Sequence, residues 1–341
     1  MTDYLIDVTN EGAILLGPDI VCDGFYYGPG ARVQTHIHTD HMEDFDRSKG
    51  MQKILLSNET LELLKFIKNA DIPVRRNIIP LEYGVEFKVN DSLVKLVPSG
   101  HMVGAVQVEV TLPDGSKAGY SGDFKYPCDD TIKVDTLIVD SNCGSVDESE
   151  NYSEDEVIQK FLDLILEKIH QGPIQLTAHR GTLQRALDII NMELDIPVIS
   201  TEYIQKETAI YEKFGYSVPE VICYDDPRCE RILKSGKYIH IRSTFGYNPA
   251  ITNSHYTHIV LRRHGDKQNP IRRTESNTYA VALTAHSNVE ETVAYVRETG
   301  ASYVITDNNR GTRAVELAHI ISNRLGIEAK ASNNEISHDW R

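Results

Sequence analysis

Three things are scarce in this 341-residue chain: long apolar runs, paired cysteines and positive charge. No segment is apolar for long enough to span a bilayer and no tract is of low complexity, so the composition, 40% hydrophobic and 25% charged, is that of an ordinary globular protein. No membrane partner is expected. The five cysteines, Cys22, Cys128, Cys143, Cys223 and Cys229, are odd in number and scattered. None sits in a C-x-x-C pair, so they read as reduced thiols rather than a disulfide framework. The opening MTDYLIDVTNEGAILLG carries acidic residues where a secretory leader would carry basic ones, and the expected location is cytoplasmic. Thirty-five basic against 50 acidic side chains leave a net charge of −15, which disfavours coating nucleic acid by bulk attraction. Phosphate binding would then fall to local clusters. Arg262, Arg263, Lys267, Arg272 and Arg273 form the densest, with Arg75 and Arg76 second; both also read as solvated charged loops.

What is present divides by texture. Up to about residue 140, short β-type runs such as DSLVKLVPSG, AVQVEVTLPDG and KAGYSGDF alternate with turns, and Pro113-Asp114-Gly115 marks a hairpin. One helix, TLELLKFIKNA, interrupts them with Ser57 or Asn58 as its cap, and VDTLIVD at 134–140 reads as a buried strand. The acidic stretch 145–156 marks a boundary, followed by a helix with Ser153 and Glu156 as capping box. Strand-like PIQLTAH, IPVIST, YIHIRS and THIVLRR then alternate with helical TLQRALDIINME and EYIQKETAIYEKFG, the pattern of a small parallel α/β unit. After about 277, TYAVALTAH reads as a strand and SNVEETVAYVRETG as a helix capped by Ser287 with Glu290 at N3 and Gly300 as its stop. A further strand, ASYVITDN, and helix, TRAVELAHIISNRLG, return to the first domain. The expected organisation is one domain from 1–145 and 278–341 and an inserted domain from 146–277.

The chemistry concentrates in THIHTDH at 35–41. His36 and His38 stand two apart, so on an extended segment both side chains face one way and can share a metal. Asp40 and His41 are adjacent and point apart, which suits a second ion beside the first, in the arrangement that clamps both oxygens of a phosphoryl centre. Taken alone, each His is more often a satisfied core or surface residue, but the cluster is poorly explained that way.

This string resembles H-x-H-x-D-H, the signature of the metallo-β-lactamase superfamily, and later elements follow in that family's order. The resemblance implies a third His ligand, matched by His101 in VPSGHMVGAVQ, and a bridging Asp, matched by Asp123 in AGYSGDF. The rest of the chain is similar to the β-CASP nucleases, which carry an inserted domain at this place. That branch implies an acidic residue at a strand end, matched by Asp140, and a His in a strand-to-helix turn, matched by His286. LTAHRGTLQRALDII is a looser match that puts His179 and Arg180 near a substrate groove, beside a structural role for both. Where RNA-cleaving members have a late His on the second metal, this chain has Asp307, either a carboxylate ligand or a strand-end turn residue.

The implied fold is α/β (α+β), a metallo-β-lactamase αββα sandwich with an inserted β-CASP-like α/β domain. The implied activity is a nuclease acting on DNA or RNA with zinc, two ions, Mn or Mg being options at the second position. The ions would activate a water to attack the phosphodiester, and the resemblance implies that His286, oriented by Asp140, would protonate the leaving oxygen. Two alternatives stand beside it: a small-molecule hydrolase of thioesterase or lactonase type, which would not need the insertion, and a noncatalytic subunit of nucleic-acid processing, which would not need an intact ligand set.

Overall fold

Strand periodicity builds the first of two compact units, Met1–Ser149 with His286–Arg341. The computed structural model describes residues 4–68, 71–143, 145, 152–244, 255–263, 268–311 and 313–333. Residues 146–151 of the acidic boundary stretch, and Lys267, lie outside the described residues. Six strands, β1 (Ile6–Val8), β2 (Ile14–Leu16), β3 (Ile20–Cys22), β4 (Ala31–Val33), β5 (Lys53–Ser57) and β6 (Ile78–Leu81), form one sheet in sequence order. Successive side chains of a strand face opposite sides. Leu55 of β5 therefore enters the apolar core shared with the next sheet, while its buried neighbours Ile54 and Leu56 do not. Helices α1 (Phe45–Met51) and α2 (Asn58–Lys68) pack on β5. Ser57 caps α2, its hydroxyl accepting the Thr60 N–H at 3.0 Å.

The next strands, β7 (Phe87–Val89), β8 (Ser92–Pro98), β9 (Val106–Thr111), β10 (Lys117–Tyr120) and β11 (Thr136–Val139), start a second sheet. β9 and β10 are the antiparallel arms of the hairpin turning at Pro113–Gly115, whereas β11 joins β10 in parallel.

The second unit, Glu150–Ala285, is inserted here in the sequence. Its α3 (Glu154–Ile169) is capped by Ser153, which accepts the Glu156 N–H. Then follow β12 (Ile174–Ala178), α4 (Thr182–Glu193), β13 (Val198–Ser200), α5 (Glu202–Lys213), β14 (Val221–Cys223), α6 (Cys229–Ser235), β15 (Ile239–Ser243), β16 (Thr257–Leu261), β17 (Ile271–Glu275) and β18 (Thr278–Val281). Its sheet runs β14-β13-β15-β12-β16-β18-β17, parallel except for β17 at the edge. Thr278–Val281, at the start of TYAVALTAH, pairs within this sheet. Ile174, Leu176 and Ala178 of β12 meet Phe161 and Ile165 of α3 and Leu183 and Leu187 of α4 in one core. Each such side chain, fully buried, stabilises by about 1.5–3 kcal/mol relative to exposure.

The chain then returns through α7 (Val289–Thr299), β19 (Tyr303–Thr306), α8 (Ala314–Leu325) and β20 (Glu328–Ala331). β19 pairs in parallel with β11 and β20 with β19, completing the order β20-β19-β11-β10-β9-β8-β7. Ile138 and Ile305 point into the core between the two sheets, while Leu137, Val139 and Val304 point to the opposite face, under Val293 and Val296 of α7 and Leu317 and Ile321 of α8. The two sheets of the first unit thus share one core, and α7 and α8 cover the other face of the second sheet. The cap of α7 falls one residue later than expected: Asn288 and Glu291 form the reciprocal pair, each at 2.9 Å. The Ser287 hydroxyl is taken by the Tyr126 N–H at 2.8 Å, which removes it from the helix end. Gly300, at φ 74°, ends the helix in the left-handed conformation that glycine adopts without strain.

The chain is therefore a mixed α/β protein with three mixed sheets and eight α-helices among the described residues. None of those helices is long and apolar enough to cross a membrane.

Candidate metal centre

In the second sheet β8, β10, β11 and β19 all run the same way, since β8 and β10 are each antiparallel to β9 and the others are parallel. The residues just past their C-terminal ends therefore gather at one edge: His101 after β8, Asp123 after β10, Asp140 after β11 and Asp307 after β19. The segment after β4 brings His36, His38, Asp40 and His41, and the turn before α7 brings His286.

Three groups of donor atoms, each with its members within 4.8 Å of one another, can hold metal ions: His36, His38, His101 and Asp123; Asp23, His36 and His41; Asp123, Asp140 and His286. Asp123 Oδ2 lies 3.6 Å from both His36 Nε2 and His101 Nε2, and Asp123 Oδ1 lies 3.1 Å from His41 Nε2. His101 Nε2 and His38 Nδ1 are 3.2 Å apart. His286 Nδ1 stands 3.6 Å from Asp140 Oδ2 and 3.9 Å from Asp123 Oδ2. Asp40 is outermost, its side chain 60% exposed and its Oδ2 3.8 Å from His41 Nε2.

Asp307 joins none of the three groups. Its Oδ2 meets Arg310 Nη1 at 3.0 Å, and its Oδ1 accepts the Asn309 N–H at 2.8 Å. His179 and Arg180 lie in the second unit with local partners: His179 Nδ1 is 2.8 Å from the Thr244 hydroxyl, and Arg180 pairs with buried Glu207. Arg262 and Arg272–Arg273 are in or beside β16 and the edge strand β17, and Arg75 is bonded to Asp71.

The supporting residues were not singled out from the sequence. Asp23, fully buried, bonds His41 Nδ1 at 2.7 Å and takes both the N–H and the hydroxyl of Thr35. Such a carboxylate fixes which ring nitrogen faces a ligand. Gln34 donates to the carbonyls of His36 and His41, and Arg32 to those of His41 and Glu43, so the ligand segment is held from beneath. Asn142 Nδ2 approaches His286 Nδ1 at 3.4 Å. Arg32, a charge between two apolar residues of a strand, was a readable signal; Asp23-Gly24 reads only as a turn.

The electrostatics suit a cation. Burial, reinforced by His41, pushes His36 well below its ordinary value, and burial with His101 pushes His38 down to about 3. His41 goes the other way: burial opposes its proton, but Asp123 and Asp23 raise it to about 10. Burial would raise Asp123, yet His41 holds it well below the usual carboxylate range. Burial and the charge of Asp123 raise Asp140. His36 Nε2, His41 Nε2 and Asp123 Oδ1 are buried and make no hydrogen bond. Unsatisfied buried polar atoms are costly, and cations bound among these donors would satisfy them. Nitrogen-rich donors with one shared carboxylate are the set a zinc-like ion takes.

No family model matches the chain. Over 115 residues, 33% of its length, it is 30% identical to the DNA cross-link repair protein SNM1 of Arabidopsis thaliana, of which it spans only 23%. A crystal structure of a protein of unknown function from Enterococcus faecalis V583 superposes on 89% of this chain and 79% of its own, with a TM-score of 0.61 at 15% identity, a likeness of fold alone. An uncharacterized protein in the lig 3' region of Acidianus ambivalens is 34% identical over 138 residues, 40% of this chain and 98% of that protein. With almost the whole of that relative matched, the chain belongs to the family of the Acidianus ambivalens protein.

Proposed function

We propose that the chain is a metal-dependent nuclease of the metallo-β-lactamase fold, hydrolysing phosphodiester bonds of DNA or RNA. In this reading residues 146–277, with the strand that follows them, are the inserted β-CASP-like domain. The observation that carries the reading is the convergence of His38 with buried His36, His101 and Asp123, whose donor atoms lie within 4.8 Å of one another. The partial similarity to a DNA cross-link repair protein supports nucleic acid as the substrate.

His36, His38, His101 and Asp123 would hold a first zinc ion, and Asp40, His41 and Asp123 a second. Zinc so bound supplies Lewis-acid charge for the phosphoryl oxygens and brings the pKa of water near neutrality. The protein groups divide the remaining work. Asp23 turns His41 so that Nδ1 is occupied and Nε2 faces Asp123. His286 would give a proton to the leaving oxygen, with Asp140 at 3.6 Å orienting its ring. Asn142 lies against both, its backbone N–H donating to Asp140 Oδ1 at 2.8 Å. Burial of Asp123 and Asp140 keeps bulk water from screening them.

Purified protein assayed on end-labelled single-stranded and duplex DNA and RNA should cleave at least one of them. Chelator should abolish cleavage and zinc restore it. Cleavage insensitive to chelator, or none on any of the four, would reject the assignment.

A further inference from the structure

The turn after β19 carries Arg310, whose side chain is 3% exposed. Its guanidinium reaches three segments: Nη1 to Asp307 Oδ2 at 3.0 Å, Nε to the Asp40 carbonyl at 3.3 Å, and Nη2 to the Asp23 carbonyl at 3.2 Å. The turn is fixed on the other side as well. The Asp307 N–H donates to the Val139 carbonyl at 2.9 Å, and the Ser141 hydroxyl donates to the Asp307 carbonyl. Gly311 lies so close to Ser141 that a Cβ would fall 1.9 Å from its hydroxyl oxygen, so only glycine fits there. One buried cation, hydrogen-bonded on three sides, is thereby set against both segments that carry the donors of the second ion, Asp40 with His41 and Asp23 behind it. The carboxylate that would otherwise complete that ion's shell is turned onto the same guanidinium and the N–H groups of its own turn.

A buried fixed charge acts on a divalent ion several ångströms away far more strongly than an exposed one. We propose that Arg310, with Asp307 as its counterion, is a built-in cation: a positioning residue that fixes the Asp23 and Asp40 segments and opposes a second ion. The chain then binds one divalent ion tightly, at His36, His38, His101 and Asp123, and a second about tenfold or more weaker. This rests on the metal-centre reading above. It assigns Asp307 as a counterion, not a ligand.

The test is zinc alone, titrated into the full chain by equilibrium dialysis, with bound metal counted by mass spectrometry and thermal unfolding followed at each loading. Wild type should take one ion first and a second only at higher free zinc. Arg310→Gln keeps a hydrogen bond to Asp307 but removes the charge; its second ion should bind about tenfold or more tighter, with the first shifting by less than about threefold. Arg310→Lys should keep the wild-type gap. A second ion that binds Arg310→Gln no better than wild type would overturn the proposal while leaving the metal centre intact. Should Arg310→Gln fail to fold, Arg310→Met/Asp307→Asn removes both buried charges together, a change that buried pairs tolerate better. In that variant a narrowed gap supports the proposal and an unchanged gap overturns it. No zinc on wild type at any loading would overturn both it and the metal centre.

Discussion

The strand ends of the two units carry similar residues with different consequences. In the second unit, β12 ends at Ala178 and is followed by His179 and Arg180; the first meets a threonine hydroxyl, and the second is neutralised by buried Glu207. In the first unit, β8, β10 and β11 end before His101, Asp123 and Asp140, where one carboxylate, Asp123, faces His36, His41 and His101, and Asp140 faces His286. A polar residue at a strand end is thus not in itself a site. The candidate site is where several imidazoles gather around one carboxylate and His36 Nε2 is buried without a hydrogen bond, an arrangement a cation would satisfy.

The strongest way to break this contrast is Asp123→Ala, which removes the carboxylate facing His36, His41, His101 and His286. Bound zinc should be lost and hydrolysis should fall by about 10³-fold or more. Full metal content with full activity in this variant would dissolve the proposed centre.

Next in size is His286→Ala, expected to keep the first ion and lose about 10²- to 10⁴-fold in rate, the span of a positioned general acid. Asp140→Asn should be milder. A nitrophenyl phosphodiester, whose leaving group needs no proton, should recover part of the loss in both variants. Loss of metal from the His286 variant would make that residue a ligand instead.

The second unit supplies the control. Glu207→Gln strands Arg180, and since Arg180 keeps 24% of its side chain exposed the cost should be about 2–3 kcal/mol, below that of a fully buried pair. Chemical denaturation would measure it, and zinc bound per chain should not change. Altered zinc binding would mean that the two sets of strand ends are not independent.

The smallest effect sharpens the contrast within the centre. His41 holds its proton up to about pH 10, so an ion that uses it must displace that proton at any lower pH. Its affinity should rise with pH, by up to about tenfold per unit, until about pH 10. His38, pushed down to about 3, has no proton to lose near neutrality, and with His36 also lowered the first ion should vary little with pH. Zinc titrations at about pH 6 and about pH 8 separate the two; equal slopes would place His41 outside the metal shell.

Much of the framework was readable because it is local. The Pro113–Gly115 hairpin, the caps Ser57 and Ser153 and the stop at Gly300 each depend on a few adjacent residues, and each is found in place. The spacing of His36 and His38 likewise put two donors on one segment. What could not be read depends on contacts between distant positions. Asp23 acquires its part only by meeting His41, 18 residues on, and Arg310 by meeting Asp40, 270 residues earlier. The α7 cap moved because Tyr126, 161 residues away, claims Ser287.

The most direct test of the central claim is cleavage of end-labelled DNA and RNA by wild type and Asp123→Ala, each stripped of metal and then reloaded with zinc. Wild type should be silent when stripped and active when reloaded, and Asp123→Ala silent in both states. Cleavage by stripped wild type, or by Asp123→Ala at the wild-type rate, would contradict it.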